Sequence, residues 1–129
     1  MNHFCTISTA SHLYKVKALA ESLRNQKREF VLHVLVVDGG NFSFPNCKYW
    51  NISNLPTEET TQTITEKFKH NVNKLRWSLK PVFLKQLLLI EKAEKIIYLD
   101  NDLFFYSDFQ FLFDYLNTYS FLLIPHYYK

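Results

Sequence analysis

The sequence predicts an α/β fold in which a mainly parallel sheet is flanked by helices. Three observations carry this expectation. Short β-rich runs alternate with segments of helical period along the chain. Phe30 to Val37 (FVLHVLVV) is almost continuously aliphatic, as suits a strand covered on both faces. Polar clusters at Ser8 to His12, Asp38 to Gly40 and Asp100 to Asp102 each follow a strand-like run, and in parallel sheets such ends share one edge, where ligands bind.

The elements follow in order. His3 to Ser8 (HFCTIS) is a short strand, and Thr9, Ala10 and Ser11 form a small polar cluster suited to starting a helix. Val16, Leu19, Ala20 and Leu23 then recur at i, i+3, i+4, i+7, which predicts a helix with one buried stripe. The central strand Phe30 to Val37 stops at Asp38 and at the chain's 2 glycines, Gly39 and Gly40, a tight turn. Cys47 to Ile52 is a weaker strand. Pro56 to Asn73 is polar and threonine-rich, and is expected to be a loop with one or two helical turns. Pro81 suits the first turn of a helix whose apolar face would be Phe83, Leu84, Leu87, Leu88 and Ile90, with Lys85, Gln86, Glu91 and Lys92 in water. Lys95 to Leu99 is the next strand, Asp108 a cap, Phe109 to Leu116 a short amphipathic helix and Tyr119 to Ile124 a last strand.

Composition narrows the class. With 47% hydrophobic residues, 17% aromatic and 129 residues in all, the chain can bury a core and is neither disordered nor collagen-like. A formal charge of +3, with dispersed lysines, does not point to nucleic acid. The one basic stretch, Lys67, Lys69, His70, Lys74, Arg76 and Lys80, is either a solvated face or the side of a small anion site. Cys5 and Cys47 have neither a disulfide framework's number nor metal-ligand spacing, and are expected as buried thiols. No signal-like or membrane-spanning run is found in the sequence, so the expected location is cytoplasmic.

The stretch KIIYLDNDLFFYSD, Lys95 to Asp108, carries the chemistry. On extended backbone Asp100 and Asp102 project to one side and Asn101 to the other. Two like charges so close repel unless a cation or hydrogen-bond donors lie between them. A divalent ion satisfies both, and hard carboxylate oxygens suit Mg²⁺ or Mn²⁺ completed by waters and substrate phosphates. The plainer reading is a turn, since Asp and Asn favour turns. An unpaired carboxylate between two apolar runs is costly, however, which favours the metal.

IIYLDNDLFFYSDFQFLFDYL resembles the DxD region of glycosyltransferases with the GT-A nucleotide-diphospho-sugar transferase fold, especially the family 8-like group. RWSLKPVFLKQLL is similar to a Lys-Pro helix start of related bacterial enzymes. FCTISTASHLYKVKALAESL resembles the first strand, nucleotide loop and helix, and LLIPHYY, Leu122 to Tyr128, a Pro-His strand end. The resemblance implies a Rossmann-like sheet over residues 1–129, the donor-binding, N-terminal half of a longer transferase. It implies that Asp102 binds Mn²⁺ or Mg²⁺ directly while Asp100 shares the metal and hydrogen-bonds the ribose. The metal would bridge the diphosphate of a nucleotide-sugar, most plausibly a UDP-sugar, and neutralise the leaving nucleoside diphosphate. Ser8, Thr9, Ser11 and His12 would hold the base, with Asp38, Lys80 and Asn101 also on the nucleotide-sugar. His12 stands where relatives often carry a base-stacking tyrosine, and either stacks more weakly or merely neighbours a helix start. Thr9 stands for an acidic residue. Asp38 fits a simple turn equally well, Lys80 an exposed lysine, and His126 a packed strand end. Phe104 and Phe105 are expected in the core.

Two other readings compete. An aspartate-dependent phosphoryl-transfer enzyme also ends a strand in Asp-X-Asp, but usually on its first strand with Thr or Val next, whereas Leu103 follows here. A non-catalytic binding or assembly module would use the sheet's uncovered edge as a homo-oligomer interface.

Overall fold

The computed structural model describes residues 1–125. Its elements are β1 (Asn2–Ser8), a 3₁₀ turn at Ala10–His12, α1 (Leu13–Arg24), β2 (Phe30–Val36), β3 (Cys47–Asn51), a 3₁₀ turn at Ile52–Asn54, α2 (Glu59–Phe68), α3 (Val72–Ser78), α4 (Lys80–Leu89), β4 (Ile96–Tyr98) and α5 (Gln110–Thr118). The four strands form one sheet in the order β3-β2-β1-β4, and all three pairings are parallel. The fold is the expected Rossmann-like α/β layering, and the sheet is wholly parallel.

Alternation along the strands divides the core into two layers. Phe4, Leu32, Val34 and Val36 face α1 and α5, meeting Val16, Leu19, Ala20 and Leu23 of the predicted stripe together with Phe109 and Phe113. Phe4 is the hub, in edge-to-face contact with Phe30, Phe109 and Phe113 at centroid separations of 6.3, 5.0 and 5.1 Å. On the other side Cys5, Ile7, Leu35 and Val37 face Leu75, Leu79, Phe83 and Leu87 of α3 and α4.

Several expectations change. Pro56 to Asn73 holds all of α2 and the start of α3, because Ile64, Phe68 and Leu75 pack on the second layer, Thr61 is buried, and Asn71 caps α3 by accepting from the Lys74 amide at 3.1 Å. On α4 the buried row is Phe83 and Leu87, extending Leu79 at four-residue steps; Gln86, expected in water, is buried, whereas Leu88 and Ile90 are exposed. Tyr119 to Ile124 forms no strand. These residues have strand-like side chains but pair with none of the four strands, and Leu123 and Ile124 are each 82% exposed. Phe105 packs partly on the first layer, but Phe104 is exposed against Tyr106. Asp108 does cap α5, accepting from the Gln110 amide at 2.9 Å, and its carboxyl is held below the usual range first by its hydrogen bond from Arg28. Cys5 is buried and Cys47 half-buried; both are free, and burial pushes Cys47 up to about 12. His126 lies outside the described residues. Among those described, no helix is long and apolar enough to cross a membrane.

The second layer contains a polar chain. Trp50 Nε1 donates to His33 Nδ1 at 3.2 Å, so the neutral His33 carries its proton on Nε2 and donates it to His3 Nδ1 at 3.0 Å. His33 is 1% exposed, and burial, followed by the charge of His3, lowers its pKa from 6.5 to about 4. Between those values the unfolded chain takes up a proton that the folded chain refuses, so stability is intact above pH 6.5 and falls as pH drops toward 4. The expected loss is on the order of 3 kcal/mol. Urea denaturation across pH 7 to 4 should show this decline, and His33→Phe should remove most of it; an unchanged slope in the variant would contradict the assignment.

Candidate functional site

The parallel sheet places the carboxyl ends of its strands on one edge. β2 and β3 lie to one side of β1 and β4 to the other, so chain direction across the sheet reverses between β1 and β4, the place where a crevice forms in open α/β sheets. A pocket of about 220 Å³ opens there, lined by Ile7 of β1, Arg76 and Trp77 of α3, Lys80 of α4, and Tyr98, Asp100, Asn101 and Asp102 at the end of β4.

The Asp-Asn-Asp stretch is a tight turn and a pocket wall at once. Leu99 N–H bonds Cys5 O at 2.8 Å, completing the pairing with β1, and Leu103 N–H returns to Asp100 O at 3.2 Å. Asn101 turns inward and is buried; its amide donates to Ile7 O at 3.4 Å and Ser8 Oγ at 3.3 Å. Downstream, Phe105 N–H donates to Ser22 Oγ at 3.0 Å and Gln26 Nε2 donates to Phe105 O at 3.2 Å, so α1 holds the outgoing chain. With the middle residue anchored, Asp100 and Asp102 both face the pocket and both are exposed.

The opposite wall is cationic. Lys80 Nζ lies 3.5 Å from Asp100 Oδ1 and 4.5 Å above the ring of Tyr98, which fixes a half-exposed lysine at the pocket. Arg76 supplies the second positive charge of this wall, and its Nε is buried without a hydrogen-bond partner among the described residues. Burial, reinforced by the charge of Asp100, pushes the Tyr98 phenol up, so it is neutral at physiological pH. Two carboxylates and two cations thus share one small cavity.

The remaining sequence candidates lie on the same edge but outside this pocket. Ser8 closes β1 and donates to Thr9 O at 2.9 Å. Thr9 is buried, and its hydroxyl meets Ser11 Oγ at 3.0 Å and His12 Nδ1 at 3.3 Å. Asp38 accepts from the Ala10 amide at 2.7 Å, joining the β2 end to the β1 loop. Gly39 and Gly40, at φ 85° and 94°, supply the left-handed turn beyond it. The three polar clusters are therefore linked, through Asn101 to Ser8 and Asp38 to Ala10. The sequence reading missed Trp77 and Tyr98, and it placed Arg76 only within a basic run. It also passed over Tyr14, an exposed ring 6.4 Å from that of His12. The i, i+4 spacing of Arg76 and Lys80 ahead of Pro81 was the available signal.

Among the described residues no three His, Cys, Asp or Glu side chains converge as a metal-binding group. Asp100 and Asp102 form a two-carboxylate set of hard oxygens, which fits Mg²⁺ or Mn²⁺ if phosphate oxygens and water complete the shell. The fit rests on the donor chemistry and on the cations placed beside it.

The anchor generates a test. Asn101→Asp replaces a buried donor by a carboxylate facing the Ile7 carbonyl, and should destabilise by at least about 2 kcal/mol. The loss relative to the parent should be larger at pH 8 than at pH 5, because the buried carboxyl resists ionisation. Urea midpoints at the two pH values check this; equal stability would mean the amide anchors nothing.

No protein-family model matches the chain. The chain is similar to two uncharacterized proteins of Bacillus subtilis (strain 168). It is 30% identical to YfnD over 110 residues, 82% of this chain and 35% of that protein. To YfnF it is 27% identical over 109 residues, 81% of this chain and 36% of that protein. The chain thus spans about a third of the length of these relatives.

Proposed function

We propose that the strand-end pocket binds a nucleotide-diphospho-sugar with a divalent metal, and that the chain is the donor-binding part of a metal-dependent glycosyltransferase. The observation that carries this reading is the pairing of two carboxylates with two cations in one pocket at the switch between β1 and β4. The site's own charges balance, so the natural addition is a neutral unit: a divalent cation with a doubly charged diphosphate diester. The resemblance of the Asp-X-Asp region to GT-A transferases of the family 8-like group supplies the reaction class.

Asp102 and Asp100 hold Mn²⁺ or Mg²⁺ by their oxygens. The bound metal stabilises charge on the departing nucleoside diphosphate. Lys80 exchanges its contact with Asp100 for a phosphate oxygen, and Arg76 adds a second positive charge beside the same anion. The Ser8 to His12 loop, pinned by Asp38, takes the nucleoside, with His12 and Tyr14 as flat faces for the base; uracil is the base we favour. Sugar transfer also needs an acceptor surface, which this pocket does not itself supply, so the reading concerns donor binding first. The two free cysteines suit a reducing cytoplasm. A homo-oligomer would form along an edge of the sheet, β3 or β4, neither of which pairs on its outer side among the described residues.

Titration calorimetry with UDP-glucose, UDP-galactose and UDP-N-acetylglucosamine, with Mn²⁺ and with EDTA, tests the proposal. Binding should require Mn²⁺ and weaken at least about tenfold in Asp102→Asn, no less than loss of an outer-sphere partner typically costs. Absence of binding, or binding indifferent to metal, would overturn it.

A further inference from the structure

The chain's 2 tryptophans are treated in opposite ways. Trp50 is 6% exposed and hydrogen-bonded to His33, whereas Trp77 is 56% exposed. Packing does not explain its presence. α3 meets the core through Leu75, and Leu79 follows one turn later; Trp77 lies midway between them, about 200° around the helix from each. Its ring stacks on no other aromatic ring among the described residues. Yet it lines the pocket beside Arg76, Lys80, Asp100 and Asp102.

We infer that Trp77 is the platform on which the sugar ring of the donor lies. The inference rests on the reading of the pocket as a nucleotide-sugar site. A pyranose has an apolar C–H face and a rim of hydroxyls, and it needs an aromatic surface bordered by charged hydrogen-bonding groups. Trp77 with Asp102 and Arg76 provides that combination; Tyr98, the other aromatic in the pocket, lies beneath Lys80. Placement selects sugar over base. Asp38 and the Ser8 to His12 loop stand at the ends of β2 and β1 outside this pocket, whereas Trp77 lines it together with the carboxylates at the end of β4. A diphosphate held at the carboxylates separates the two ends of the donor, leaving the nucleoside toward His12 and the hexose against Trp77.

The test compares UDP with UDP-glucose, UDP-galactose and UDP-N-acetylglucosamine on the intact chain in Mg²⁺, read by calorimetry and tryptophan emission. At least one UDP-hexose should shift the emission of the exposed tryptophan where UDP does not. Trp77→Ala should weaken that UDP-hexose about tenfold while leaving UDP unchanged, with Trp77→Phe recovering much of the loss. Trp50 emission, unaltered in both variants, verifies the fold. If UDP and every UDP-hexose lose affinity equally, the ring serves the base or the phosphates and the inference fails while the proposed function stands. If Trp77→Ala changes neither, the inference fails alone. If neither UDP nor a UDP-hexose binds the parent chain, both readings fall.

Discussion

The site depends on a buried amide. Asn101 is the middle residue of an acidic tripeptide, and its side chain turns under the sheet's edge to donate to β1 while the carboxylates on either side turn outward. Backbone alternation alone places Asp100 and Asp102 on one side only while the chain is extended, and here the chain is turning, with Leu103 bonded back to Asp100. The Asn101 anchor fixes the middle of that turn to β1, and Asp100 and Asp102 on either side of it line the same pocket. It also joins the site to one of the two inner strands: β1 pairs on both sides, with β2 and with β4, and sends Cys5 and Ile7 into one layer of the core while Phe4 organises the other.

The electrostatic arrangement follows from that placement. Neighbouring carboxylates exposed at a sheet rim are expensive only if nothing answers their charge. Lys80 and Arg76 answer it from α4 and α3 respectively, and Tyr98 beneath Lys80 provides an aromatic floor. The ion pair between Lys80 and Asp100 is half-exposed and adds little to stability. Its importance lies in availability, since a weak contact exchanges easily for a phosphate oxygen.

Much of this was legible in the chain. The stripe of α1, the long apolar run of β2 and the polar clusters at strand ends depend on local periodicity, so sequence and structure agree on them. Asn101 and the acids were legible as opposite-facing residues. Other features depend on tertiary contacts. α2 has a threonine-rich sequence with weak intrinsic helix preference, and becomes a helix by laying Ile64 and Phe68 on the second layer and burying Thr61. The apolar Leu88, Leu89 and Ile90 at the end of α4 are indistinguishable from core residues by type, yet they fall off the row set by Phe83 and Leu87. Tyr119 to Ile124 has strand composition but pairs with none of the four strands. Arg76 and Trp77 reach the site through the packing of α3, a segment the sequence marks only by its basic residues.

The central claim is that Asp100 and Asp102 share one divalent ion presented with a diphosphate. Anomalous diffraction at the manganese edge, from crystals of the chain grown with Mn²⁺ and UDP, tests it most directly. The account predicts a single peak bridging the two carboxylates, with the diphosphate on its other side toward Lys80 and Arg76. A nucleotide bound with no manganese at the pair, or manganese held elsewhere with the carboxylates still paired only to Lys80, would contradict it.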